Sequence, residues 1–332
     1  MKNKVKFGQF YTTRANYIIG NLIDDLPKDL VVVEPFCGQG DLLIFDNKYE
    51  IYDIDTKIEN CEKRDTLRLP PDYEGKLVVT NPPFLARNKN KDKSLYDLYQ
   101  VGDLYKAAIK SILSCSGGIL IVPLNFLCDE DNSFRIEFFN RFDLIRLNIF
   151  EETVFDDTSY TICSFSFKLK EFDSEIDTIE CTFFPSKEVR FFDLKKSAGY
   201  RIGSDFIEII DSQKNIGIKR LLLEGTPNSN LYLRAIDTGT ENGKIALEIK
   251  RDHFYGKGTD RTFATIVMNK HYTDEQELKI CEEFNYILKE YREKYNSMFL
   301  TNYRNSGAYA RKRISFDVAY KLISHIIKKE RF

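Results

Sequence analysis

Short apolar runs the length of buried strands alternate with segments of helical spacing through the first half of the chain, and this alternation is what a parallel α/β sheet requires. The runs are Val31-Val32-Val33, Glu50-Ile51-Tyr52-Asp53, Leu77-Val78-Val79-Thr80 and Gly118-Ile119-Leu120-Ile121-Val122. Between the last two, Leu98, Val101, Leu104, Ala108 and Ile112 recur near a 3.6-residue period, which predicts one helix from Leu95 to Leu113. Leu144 to Phe150 and Tyr160 to Leu169 then follow each other with no helix between them, the pattern of an antiparallel hairpin closing the sheet. Beyond Lys170 the polar stretch Glu171–Glu175 marks a change of pattern. Strands at Thr178–Phe184 and Lys244–Ile249 follow without regular helices, until a long helix from Asp274 to Lys294 and a shorter one from Ser315 to about Lys328. The expectation is an α/β domain over 1–170 and a smaller α+β domain over 171–332.

Composition narrows the chemistry. No run approaches eighteen apolar residues, and the opening Met1-Lys2-Asn3-Lys4-Val5-Lys6 lacks a signal-peptide core, so the expected setting is intracellular, in the cytoplasm or wherever the substrate resides, with no membrane partner. The seven cysteines are scattered and never form Cys-x-x-Cys, which argues for reduced thiols and against a zinc site; no metal is expected. The only histidines are His253, His271 and His325, so the first 250 residues hold no Ser-His or Cys-His pair. Chemistry there has to do without imidazole.

Asn81-Pro82-Pro83-Phe84, at the end of the third apolar run, describes a pocket for a planar substrate bearing an amine. The Asn81 side-chain oxygen and the proline carbonyls are acceptors, the two prolines fix the backbone that carries them, and Phe84 offers a ring for stacking. An exocyclic amine is a poor nucleophile because its lone pair is delocalised into the ring. Two acceptors aimed at its hydrogens favour the tetrahedral geometry from which it attacks, and no charged base is needed.

A second loop stands upstream, in Val33-Glu34-Pro35-Phe36-Cys37-Gly38-Gln39-Gly40. Gly38-x-Gly40 by itself reads as a plain strand-to-helix turn. Asp53 adds to it, because an acid ending the second strand, here 19 residues after Glu34, is where a doubly wound fold holds ribose hydroxyls. Asp55 is the alternative partner. Asp65, before the third strand, is placed to accept a hydrogen bond from an adenine amino group.

The order Phe7-Gly8-Gln9-Phe10-Tyr11-Thr12, then Glu34 to Gly40, then Asp53, Asp65 and Asn81-Pro82-Pro83-Phe84 resembles the S-adenosylmethionine-dependent DNA adenine-N6 methyltransferases of the gamma arrangement. The resemblance covers residues 7 to 170 and implies a Rossmann-like methyltransferase sheet, with S-adenosylmethionine as cofactor and double-stranded DNA as partner. It implies that Asn81, Pro82 and Phe84 form the catalytic motif. Phe10 and Thr12 would then line the methionine end of the cofactor, Glu34, Phe36 and Gly38 its first loop, Asp53 the ribose and Asp65 the adenine, with Asn81 and Pro83 completing the cofactor set. Phe155 matches a second aromatic against the target base. The family's layout makes 171–332 a target-recognition domain, and a cognate restriction endonuclease is a possible partner; no obligate protein partner is evident.

Charge supports that layout. Net charge is −2 overall, but residues 297–332 carry 8 Lys/Arg against 2 Asp/Glu, a local +6. Arg304, Arg311, Lys312 and Arg313, interleaved with Tyr303 and Tyr309, are the candidates for DNA contact there. Lys89 and Lys91, just after the catalytic motif, are further candidates, with a solvated loop as the other reading. RNA or protein-glutamine methylation uses the same tetrad and is the runner-up. A non-catalytic DNA-binding subunit with a methyltransferase core is the reading from another class.

Overall fold

A computed structural model describes residues 10–130, 132–155, 160–238, 240, 243–306 and 309–332, and in the terminal hairpin it describes no side chains for 302–310. The chain divides into two compact units, Met1–Tyr200 and Arg201–Phe332.

The first unit is built on nine strands: β1 Val32–Glu34, β2 Tyr49–Asp53, β3 Glu62–Lys63, β4 Leu77–Thr80, β5 Gly117–Pro123, β6 Phe142–Phe150, β7 Ile162–Leu169, β8 Ile176–Phe184 and β9 Val189–Lys195. They lie in the order β3-β2-β1-β4-β5-β7-β6-β8-β9. The pairings from β3 through to β5 are all parallel, β7 enters antiparallel to both β5 and β6, and β8 returns parallel to β6. This is the expected mixed α/β, Rossmann-like sheet with its antiparallel hairpin. Strands β4 and β5 are buried along their whole length because both faces are covered, which explains why they read as unbroken apolar runs rather than alternating ones.

Three expectations are corrected. The single helix over 95–113 is two, Ser94–Tyr99 and Leu104–Ser111. Gln100 adopts a left-handed conformation that ends the first, Gly102 follows, and the Asp103 side chain caps the second. The boundary at 170/171 moves to 200/201, because Ile176–Phe184 pairs with β6 and so belongs to the first sheet. The stretch after 170 also holds a regular helix, Ser204–Asp211, whose Phe206, Ile207 and Ile210 are buried.

Much of the first unit's core is aromatic. Phe126, Phe138, Phe142, Phe165 and Phe167 pack with ring centroids 5.0–6.2 Å apart, a range in which offset and edge-on contacts add to burial. Arg135 is fully buried beside them and donates to the carbonyls of Gly199, Phe126 and Asp129 at 2.7–3.2 Å. Those bonds replace the water it has lost.

The second unit is α+β, as expected. Strands β10 Lys219–Arg220, β11 Leu231–Arg234, β12 Ala246–Ile249 and β13 Phe263–Val267 form an antiparallel sheet in the order β10-β13-β11-β12. The long helix Asp274–Lys294 starts at a capping box formed by Thr273 and Gln276, and near its end Arg292 makes a two-pronged ion pair with Asp237 at 3.0 and 2.9 Å. A hairpin of β14 Thr301–Ser306 and β15 Tyr309–Arg313 leads into the helix Phe316–Lys329, capped by Ser315. Among the described residues, no helix is long and apolar enough to cross a membrane.

Candidate active site

The carboxyl ends of β1, β2 and β4 converge where the strand order reverses, the place at which an open α/β sheet leaves a crevice. A cavity of about 420 Å³ opens there. Of the residues expected at a cofactor, Phe10, Phe36, Gly38, Asp53, Asp65, Asn81 and Pro83 line it. Thr12 and Glu34 are buried and do not.

Asn81 is held from one side. Its Nδ2 donates to the Phe10 carbonyl at 2.7 Å and to Thr12 Oγ1 at 3.0 Å, so the amide nitrogen faces those acceptors. Its Oδ1 is buried and, among the described residues, has no partner. Thr12 thus serves the site by orienting Asn81. A buried carbonyl oxygen left unpaired carries a desolvation cost of about 1–3 kcal/mol, which a ligand donor would relieve.

The first loop is held by carboxylates. Asp53 is 4% exposed; its Oδ2 accepts from Gly38 N at 2.8 Å and its Oδ1 from Asp55 N at 2.7 Å. Gly38 has φ +56°, and a Cβ there would meet the Tyr11 ring at 3.1 Å, so only glycine fits without displacing Tyr11. Asp55 does not line the cavity; it is exposed and paired with Lys57. Asp65 pairs with Arg68 at 3.2 Å, and Arg68 reaches on to Asp92 at 3.0 Å and Ser94 Oγ at 2.7 Å, tying one wall to the loop after the catalytic motif.

Glu34 ties β1 to β4. Its Oε1 accepts from Phe36 N at 3.0 Å and Thr80 Oγ1 at 2.6 Å, while its Oε2 is buried and, among the described residues, without a partner. Burial pushes its pKa up to about 8, against the opposing effect of those two hydrogen bonds. The folded protein therefore keeps a proton that the unfolded chain releases near 4.5, so this group's stabilisation is full below 4.5 and is lost as pH rises through about 8. Glu34→Gln removes that titration while keeping an acceptor for Phe36 and Thr80. The variant is expected to lose less melting temperature than wild type between pH 4.5 and 8, the gap growing by roughly 2–4 °C per kcal/mol of the linked term. Parallel melting curves would refute this role.

Phe84 is 5% exposed, stacked on Phe10 with centroids 5.5 Å apart and meeting Tyr105 edge-on at 6.2 Å. Asp103 Oδ1 accepts from the backbone N–H of Leu85 at 3.0 Å, so the capping residue of the following helix also fixes the end of the motif. Phe155, expected as a second aromatic for a target base, is 2% exposed and does not line the cavity.

Sequence reasoning missed Tyr11, Arg64, Arg68, Asn90 and Asp92 in the lining. The signals were the place of Tyr11 between Phe10 and Thr12, and the arginines that flank Asp65 in Arg64-Asp65-Thr66-Leu67-Arg68.

The expected DNA-contacting cations divide. Lys89 and Lys91 are exposed, and among the described residues neither forms an ion pair. Arg311 donates its Nε to the Asp237 carbonyl at 2.6 Å. Lys312 is 5% exposed, and its backbone N–H donates to Asp237 Oδ2 at 3.1 Å. Arg313 is half-buried. The side chains of Arg304, Tyr303 and Tyr309 lie outside the described residues, as do Phe7-Gly8-Gln9.

No family model matches the chain, and no curated protein does. Solved structures give partial likenesses. The methyltransferase subunit of a type I restriction-modification system from Streptococcus thermophilus superposes with a TM-score of 0.40 at 13% identity, covering 54% of this chain and 48% of that one. DrdV in complex with DNA gives a TM-score of 0.45 at 12% identity over 71% of this chain and 36% of that one. The 23S rRNA methyltransferase ErmE gives 0.36 at 13% identity over 61% and 79%. The chain spans less than half the length of the first two.

Proposed function

We propose that the chain is an S-adenosylmethionine-dependent DNA adenine-N6 methyltransferase. The observation that carries this reading is the Asn81 amide: its nitrogen is committed to Phe10 and Thr12, and its buried oxygen is left, among the described residues, with nothing to accept. An exocyclic amine is the donor that suits it, with the Pro82 carbonyl taking the amine's second hydrogen. Both hydrogens held in this way, the nitrogen lone pair points toward the electrophile and attacks without a general base. The absence of histidine before residue 253 agrees with such chemistry.

The cavity's lining fits the cofactor: two carboxylates, Asp53 and Asp65, to accept from hydroxyls and an amino group, apolar rings from Phe10 and Phe36, and a glycine turn for close approach. Bound there, S-adenosylmethionine supplies a methyl group on a sulfonium, already activated for transfer. The chain's task is alignment, for which holding both reactants in line is the main source of rate. The new N–C bond forms as the S–C bond breaks, and the amine's surplus proton passes to water. Adenine within a duplex cannot reach Asn81, so the base is flipped out, at a cost of about a few kcal/mol that stacking and phosphate contacts offset. Phe10 covers the Phe84 ring in this structure, so a base stacking on Phe84 takes the place of Phe10 on that face.

The test is to offer labelled S-adenosylmethionine to the purified chain with unmethylated duplex DNA, RNA and protein in parallel. Label is expected in DNA. Label confined to RNA or protein would overturn the substrate assignment, and binding to DNA with neither cofactor binding nor transfer would sink the enzyme reading altogether.

A further inference from the structure

The second unit carries a pocket of about 340 Å³ whose lining includes Arg220, Asp260, Arg261, Arg313, Ser315 and Phe316. Three guanidinium groups stand against one carboxylate there. Arg220 is fixed in place: its terminal nitrogens donate to the carbonyls of Gly258 and Asp260, and its guanidinium lies over the Phe316 ring, 5.2 Å from the centroid. The Asp260 carboxylate accepts from the backbone N–H of Lys257, which closes the turn. The side chains of Arg261, exposed, and Arg313, half-buried, form no hydrogen bond or ion pair among the described residues.

Permanently charged, planar forks around a concave space match the oxygens of a phosphate, and a neutral ligand or a metal cation would leave the surplus positive charge unopposed. We infer that this pocket grips one backbone phosphodiester of duplex DNA, with Arg261 and Arg313 donating to its non-bridging oxygens and Arg220 as the fixed positive floor. The inference rests on the DNA reading above and adds Arg220 and Arg261 to the residues that serve it. Arg313 belongs to the C-terminal stretch with its local +6 charge, so the surrounding field favours the same polyanion. Contacts of this kind hold register and supply affinity; they do not choose the base.

Arg261→Gln and Arg313→Gln remove a guanidinium that holds no structural bond, whereas Arg220→Gln would confound binding with folding. The experiment measures equilibrium binding of wild type, the two variants and their double variant to a fluorescent duplex across a salt series, with melting temperature and S-adenosylmethionine affinity measured on the same preparations. Each variant is expected to lower the logarithmic salt slope and to weaken binding at 0.1 M salt, and the double variant Arg261→Gln/Arg313→Gln to lower the slope by about 0.9 and to weaken binding about eightfold, the contribution of the one phosphate they share. Melting temperature and cofactor affinity are expected to be unchanged. If wild type binds DNA and both variants bind equally well with the same slope, the pocket assignment is overturned while the DNA reading stands. If wild type binds no DNA, both fall. Loss of binding to inorganic phosphate alone, with DNA affinity intact, would make this a free-phosphate site and refute the proposal as stated.

Discussion

Asn81→Ala is expected to reduce methyl transfer by about a hundredfold to a thousandfold, the scale on which removing one preorganised hydrogen-bonding group acts on kcat. The substitution deletes the buried Oδ1 that would receive the amine, and with it the bonds to the Phe10 carbonyl and Thr12 Oγ1. Those two losses are separable. Asn81→Asp keeps an acceptor toward the substrate but sets a carboxylate oxygen against the Phe10 carbonyl, so it is expected to retain more transfer than Asn81→Ala while loosening the segment around Phe10 and Thr12. Single-turnover rates, with cofactor affinity measured calorimetrically, distinguish the two. Wild-type transfer by Asn81→Ala would remove the chemical basis of the account.

Gly118→Ala is expected to cost more than about 4 kcal/mol, a loss comparable with the whole stability of many domains. Gly118 has φ +151°, a region open mainly to glycine, and a Cβ there would lie 1.8 Å from the Val78 carbonyl oxygen. Val78 is its parallel partner in β4, and both strands are buried throughout, so neither backbone can retreat without unpacking both faces of the sheet. Because β4 delivers Asn81, the damage would reach the site. Circular dichroism and thermal melting are the readout; a variant that folds within a few degrees of wild type would show that β4 and β5 can separate.

The central sheet was legible because parallel strands covered on both faces read as near-continuous apolar runs, as in Leu77-Val78-Val79. The long helix over Asp274–Lys294 was legible as well; the capping box of Thr273 and Gln276 that starts it came from the structure. What failed depended on less local facts. The apolar period from Leu95 to Ile112 runs through Gly102 and includes Leu98, which is 62% exposed, so the pattern hid a break made by backbone conformation. The polar stretch Glu171–Glu175 reads like a domain linker but only connects β7 to β8, because nothing local says that the next strand returns to β6. At the site, Asn81 and Asp53 were visible through their places at strand ends. Arg68 was not, since its role depends on Asp92 and Ser94 approaching from another loop. The burial of Lys312 was equally invisible; its place beside Asp237 is set by contacts between segments about 75 residues apart.

The most direct test is to incubate the purified chain with S-adenosylmethionine and unmethylated duplex DNA, digest the product and identify methylated nucleosides by mass spectrometry. The account predicts N6-methyladenine from wild type and none above background from Asn81→Ala of equal melting temperature. Methylation of cytosine alone, or no methylated base from a preparation that binds both cofactor and DNA, would contradict it.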